Sequence, residues 1–133
     1  MKTTYGILIV GALALVSVGV RAHHAFATEF DVERPVELTG IVSKVEMINP
    51  HSWIHIDVTE AGGATTTWMI EGGSPNALYR QGITKNSVPL GAELFVFGYQ
   101  ARDGGMRAVG RTITFSDGRA LFFSGTQVPD EVD

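Results

Sequence analysis

Between Val36 and Val58 the chain reads VELTGIVSKVEMINPHSWIHIDV. Over its second half, positions alternate with the period of two that belongs to a β-strand. Ser52, Ile54, Ile56 and Val58 share one face, while His51, Trp53, His55 and Asp57 share the other. The aliphatic face predicts a surface turned to a core. The opposite face lines up two imidazoles, an indole and a carboxylate, which is not an ordinary solvent face. In the first half Val36, Leu38 and Val42 have one parity, and Val45 and Met47 the other. That switch predicts a bulge or sharp bend near Ser43-Lys44, with Gly40 nearby to permit a close approach. Asn49-Pro50 supplies the turn between the two strands.

The remaining elements follow from the same signals. Ala61-Gly62-Gly63-Ala64 is a turn and Thr65 to Glu71 a third strand. Ser74 is placed to cap a short helix, Pro75 to occupy its first position and Gly82 to close it. Glu93 to Gln100 predicts a fourth strand, with Leu94 and Val96 on one side and Phe95, Phe97 and Tyr99 on the other. Arg107 to Phe115 predicts a fifth, with Val109, Ile113 and Phe115 inward. Asp117-Gly118 marks a hairpin into a short strand from Arg119 to Phe123. Three strands, one helix and two strands predict an all-β fold with one short helix, a five-stranded OB-like Greek-key barrel of the oligonucleotide/oligosaccharide-binding type. A plain antiparallel sandwich uses the same elements; the helix between strands three and four favours the barrel. The barrel domain spans 36–123, preceded by a lead-in over 23–35 that carries Phe26 and Phe30 and is expected to lie across the domain. Residues 124–133 form a polar, acidic tail with no expected order.

The beginning of the chain, MKTTYGILIVGALALVSVGVRA, has a different character. Lys2 precedes an apolar run from Ile7 to Val20, shorter than the ~20 residues a spanning helix needs. Val20-Arg21-Ala22 then offers small residues at the positions a signal peptidase reads, so 1–22 is expected to be a secretory signal peptide. Ala25-Phe26-Ala27 is a second site of the same kind. Cleavage after Ala22 leaves 111 residues, one domain. Of ten Lys/Arg, Lys2 and Arg21 are lost, and the remaining eight face fourteen Asp/Glu, a formal charge of −6. Such a surface disfavours nucleic acid and anionic lipid as partners. The mature chain is expected in the periplasm or secreted, free of the membrane, with a periplasmic protein as a conceivable partner. There is no cysteine, so any metal ligand must be His, Met, carboxylate or the amino terminus.

All four histidines are His23, His24, His51 and His55. If His23 becomes the first residue, its α-amine and ring can chelate copper, and a further imidazole completes a T-shaped histidine brace; tetragonal nitrogen sites favour Cu(II). His51 and His55 lie roughly 13 Å apart at ~3.3 Å per residue, so either can pair with the amino terminus but not readily with each other. The plainer reading is that His51 caps a turn and His55 rests on a strand surface. Trp53 and Trp68, on adjacent strands, are expected to pack together under Phe26 or Phe30. Otherwise the Trp53 face, with Asp57, offers a binding surface for a small ligand, glycan or protein partner. Asp57, Glu46 and Glu71 have the look of solvated carboxylates, and Met47, Met69 and Met106 of packing residues. No catalytic residue is assigned, and the chain is not expected to be an enzyme.

Three segments together, AHHAFATEFD, LTGIVSKVEMINPHSWIHIDV and GSPNALYRQG, resemble the small exported bacterial proteins grouped as domain of unknown function 6152. The resemblance covers nearly all of the mature chain. It implies secretion and one compact β domain, and it implies no activity.

Docking of the lead-in on the Trp53 face would carry His23 and His24 toward His51 or His55, with His51 favoured because it sits at the turn. The signal reading is checked by the intact mass of exported protein. That mass should correspond to His23–Asp133; a mass beginning at Thr28 would remove the amino-terminal chelate.

Overall fold

The computed structural model describes residues 27–123. The expected signal peptide, His23, His24 and Phe26, and the expected tail from 124 lie outside the described residues. After a helical turn over 27–29, the strands are β1 (Phe30–Met47), β2 (Ser52–Thr59), β3 (Thr65–Glu71), β4 (Glu93–Ala101), β5 (Arg107–Phe115) and β6 (Ala120–Leu121). Helix α1 (Pro75–Arg80) and a 3-10 turn (Lys85–Ser87) separate β3 from β4. These form a mostly antiparallel sheet in the order β3-β2-β1-β4-β5-β6, with an additional parallel pairing of β3 and β5.

The alternation of β2 is realised as a two-faced strand. Ile54 lies between Val45 and Ile70, and Ile56 between Val42 and Trp68. Ser52, Ile54 and Ile56 are fully buried. The parity switch in β1 is a register shift between Val42 and Lys44. Just before it, a Cβ on Gly40 would stand 2.9 Å from the Asp57 carbonyl oxygen, so glycine is what lets β1 and β2 cross at this point. Helix α1 has the anticipated chemistry: the Ser74 side chain accepts from the Ala77 amide at 3.3 Å, Pro75 opens the first turn, and Gly82 adopts φ +77° beyond the last turn. Its Leu78 is inserted into the main core, along with Leu94, Val96, Ala108, Ile113 and Phe123.

Two expectations are corrected. Strand β1 begins at Phe30 rather than near Val36, so residues 30–35 of the expected lead-in belong to the sheet. Phe30 pairs with Ala101 of β4, and the Arg34-Pro35 step is absorbed in a ladder irregularity between Phe30 and Pro35, a place where a strand tolerates proline. Phe30 is buried against Tyr99, Ala101 and Val109 in a second, smaller cluster, not over Trp53. Val109 belongs to that cluster rather than to the main core. The reason is a second register shift: Phe97 pairs with Thr112 but Gly98 with Gly110, which skips Arg111 and reverses the faces of β5 before it. Ala108 thereby enters the core in the place expected of Val109.

The pairings also define a row of cross-strand neighbours: Pro35, Tyr99, Val109, Glu71, Trp53 and Glu46. This row carries the outer-face residues that matter below.

Ile56→Ala should cost about 2–5 kcal/mol in denaturant unfolding, as truncation of a core aliphatic does. A cost under about 0.5 kcal/mol, typical of a surface change, would mean that the inward face has been misassigned.

Candidate functional site

The outer face of β2 is where the polar chemistry gathers. Trp53 is half-buried and has Glu46 of β1 and Glu71 of β3 as its direct neighbours. His55 has Lys44 and Met69 beside it in the same way, and Asp57 has Ile41 and Thr67. His51 stands one residue before the strand, in the turn that follows the cis Asn49–Pro50 bond.

Each strand-two imidazole has a carboxylate of its own. His51 Nδ1 contacts Glu71 Oε1, and His55 Nε2 lies 2.6 Å from Glu46 Oε2. The two pairs are built differently. Glu46 also takes Lys44 Nζ at 2.7 Å on its other oxygen. Hydrogen bonds from Lys44 first and His55 second hold its carboxyl below the usual carboxylate range. The Glu71 side chain, in contrast, is only 5% exposed, and its Oε2 is buried with no hydrogen-bond partner. Burial pushes its carboxyl up, and the nearby charge of Glu29 adds to this, while His51 and Arg107 pull the other way. Desolvation prevails because the carboxylate has one bonded oxygen where water would serve both.

The N-terminal turn reaches the same region. Glu29 bonds Arg107 at 3.2 Å, the Arg102 amide donates to the Glu29 carbonyl at 3.0 Å, and Arg102 Nε donates to the Ala27 carbonyl at 2.5 Å. Arg107 is the cross-strand neighbour of Met69, two positions from Glu71.

The anticipated site residues divide accordingly. His51, Trp53 and His55 share one face, with the two imidazoles each tied to a carboxylate. Asp57 is engaged at the far end, where it accepts from Thr67 Oγ1 at 2.6 Å and from Ser43 Oγ at 3.3 Å. His23 and His24 lie outside the described residues. Trp53 and Trp68 do not pack together: Trp68 is opposite Ile56 on the core face, and Trp53 is on the outer face. Glu71 is not a solvated carboxylate. It shares the parity of Thr67 and Met69, which points to the outer face, but its burial and its imidazole partner depend on a pairing with β2 that strand parity does not reveal. Among the described residues, no group of three or more His, Asp or Glu side chains is arranged to hold a metal ion, and no helix is long and apolar enough to cross a membrane.

Residues 12–110 match the model of the Family of unknown function (DUF6152), a span that includes His51, His55, Glu46 and Glu71. No curated protein and no solved structure matches the chain.

The state of Glu71 has a measurable consequence. Its folded carboxyl holds a proton more tightly than the unfolded one, so this group's contribution to stability falls as pH rises from the ordinary carboxylate range through the raised folded value. Glu71→Gln removes that loss. In urea unfolding between about pH 4 and about pH 8, stability of the Gln variant relative to native should rise with pH and then level off. A relative stability that falls over this range would show that Glu71 is stabilised as a charge.

Proposed function

We propose that this chain, which belongs to the Family of unknown function (DUF6152), is an exported, non-enzymatic metal-binding protein that takes one Cu(II) through the His23 α-amine, the His23 ring and the His51 imidazole. The observation that carries the reading is where the amino-terminal turn lies. Glu29 is close enough to act on Glu71, whose carboxylate contacts His51. His23 is four residues before Ala27, a reach of up to about 14 Å at ~3.3–3.6 Å per residue. The His51 ring, 45% exposed at the turn, is open to a ligand arriving from that side. His24 follows directly and is a reserve ligand. His55 is the weaker partner, with a side chain only 15% exposed. Binding rather than catalysis is supported by the state of two serines: Ser52 Oγ is fully buried and Ser74 caps α1, so neither is presented as a nucleophile.

The finer fold reading belongs with this proposal. The row of neighbours that leaves β1 at Pro35 returns to β1 at Glu46, eleven positions along the same strand. A sheet whose rows return to their first strand with such a stagger is in keeping with closure into a sheared barrel. Together with the β3–β5 pairing and the helix between β3 and β4, it supports the OB-like Greek-key arrangement.

Copper titration with electron paramagnetic resonance on protein beginning at His23 tests the function. One Cu(II) should bind with a nitrogen-rich tetragonal spectrum, and one added Gly before His23 should weaken binding sharply by displacing the α-amine. Equal affinity and identical spectra for both forms would contradict the brace. That result would leave the Trp53 face, with its flanking carboxylates, as a non-catalytic binding surface for a small ligand, glycan or protein.

A further inference from the structure

We propose that the outer face of β1 and β4 is a docking strip for a segment of a partner protein in which apolar side chains are flanked by Lys or Arg. The proposal is independent of the copper reading and uses none of its residues.

On this face β1 carries Glu37, Thr39 and Ile41, and β4 carries Phe97, Phe95 and Glu93, directly opposite in that order. The alternate positions Leu38, Leu94 and Val96 pack in or against the main core, so strand alternation sends these six outward. Ile41 and Phe95 are each 43% exposed and lie diagonally across the two strands. Phe97 is partly buried, and its ring meets the Tyr99 ring edge-on at 5.7 Å. The three apolar side chains therefore run as one strip about 13 Å long. At the Phe97 end the strip is continuous with the buried cluster around Phe30, Tyr99 and Val109, which backs it. Single exposed apolar residues are ordinary on a protein surface, whereas contiguous ones point to a binding partner.

The rim identifies the chemistry of that partner. Glu37 lies beside Phe97 at one end, and Glu93 lies beside Ile41 at the other, where Asp57 of β2 flanks Ile41 on its second side. Between them the rings have threonine neighbours: Phe95 has Thr39 and Thr114, and Phe97 has Thr112. Glu29, Asp31, Glu46, Asp103 and Asp117 each have an Arg or Lys partner. Glu37 and Glu93 are exposed, and neither has an ion pair among the described residues. Arg111, skipped by the ladder next to Thr112, is engaged in an interaction of its own. Two uncompensated carboxylates that bracket an apolar strip complement a chain with apolar anchors between cations. They oppose a second copy of the same face, which would set carboxylate against carboxylate, and they oppose anionic lipid.

Amide correlation spectra of mature protein, titrated with two synthetic peptides of equal length, test the proposal. One peptide alternates Leu with Lys, the other Leu with Glu. The Leu/Lys peptide should shift the Ile41, Phe95 and Phe97 signals saturably, and its affinity should fall as salt rises. The Leu/Glu peptide should leave them unmoved. Phe95→Thr should weaken Leu/Lys binding about tenfold, as loss of an aromatic anchor does. Glu37→Gln combined with Glu93→Gln should remove most of the salt dependence. Equal binding of the two peptides would overturn the proposal, because apolar contact alone would then suffice. Shifts confined to another face, or no shifts, would overturn it as well. Broadening of the same signals with protein concentration alone would assign the strip to a second copy instead. Should Phe95→Thr fail to fold, the paired Gln substitutions, which keep side-chain size, still decide.

Discussion

The register of β2 between β1 and β3 is the constraint on which the rest depends. A strand with one apolar and one polar face permits no slip of one residue, because the slip would drive His51, Trp53 and His55 inward and expel Ile54 and Ile56. Burial of each isoleucine stabilises the pairing by roughly 1.5–3 kcal/mol, and both are completely covered. The bulge between Val42 and Lys44 then allows β1 to keep Val42 and Val45 on the core side although their parity differs. Gly40 gives β1 the close approach to β2 beside it. The same register sets Glu46 and Glu71 on either side of Trp53, so the polar face is a by-product of the packing of the apolar one.

The two carboxylates of that face show how environment separates identical chemistry. Glu46 spends both oxygens, one on a lysine and one on an imidazole, and is at ease as a charge. Glu71 is enclosed with one imidazole and a bare oxygen, which is an unfavourable place for a carboxylate. A fold that retains such a group has it balanced by the surrounding core. The charges of Arg107 of β5 and Glu29 of the N-terminal turn nevertheless act on it, and His51 of the β1–β2 turn contacts it. Three segments distant in sequence therefore act on one carboxylate, and the amino-terminal end of the described chain is one of them. That convergence gives His51 a different standing from His55.

Much of the architecture was legible in residue order. The limits of β3 and β5, the two faces of β2, the Ser74 cap and the bulge near Ser43 could be read directly, because alternation, capping and glycine placement are local signals. Phe30 could not be placed, since its partner Ala101 is seventy-one positions away and nothing local distinguishes a strand start from a lead-in. Val109 was assigned to the wrong face because skipping Arg111 reverses the parity of everything before it, and a bulge without a parity conflict leaves no trace in sequence. Trp53 and Trp68 looked like a stacked pair, yet their odd separation across the β2–β3 ladder sends them to opposite faces. The histidine face was visible from alternation alone. Glu71 was not, because its importance comes from burial and from a partner twenty residues earlier, both products of pairing.

The central claim is that the polar face of β2 presents one competent imidazole, His51, to a ligand held by the amino terminus. Paramagnetic broadening by Cu(II), followed in the ring signals of mature protein, tests it most directly. Substoichiometric copper should erase the His51 ring signals first, together with those of His23, while the His55 ring remains visible. Broadening centred on His55, or equal loss of both strand-two rings, would contradict it.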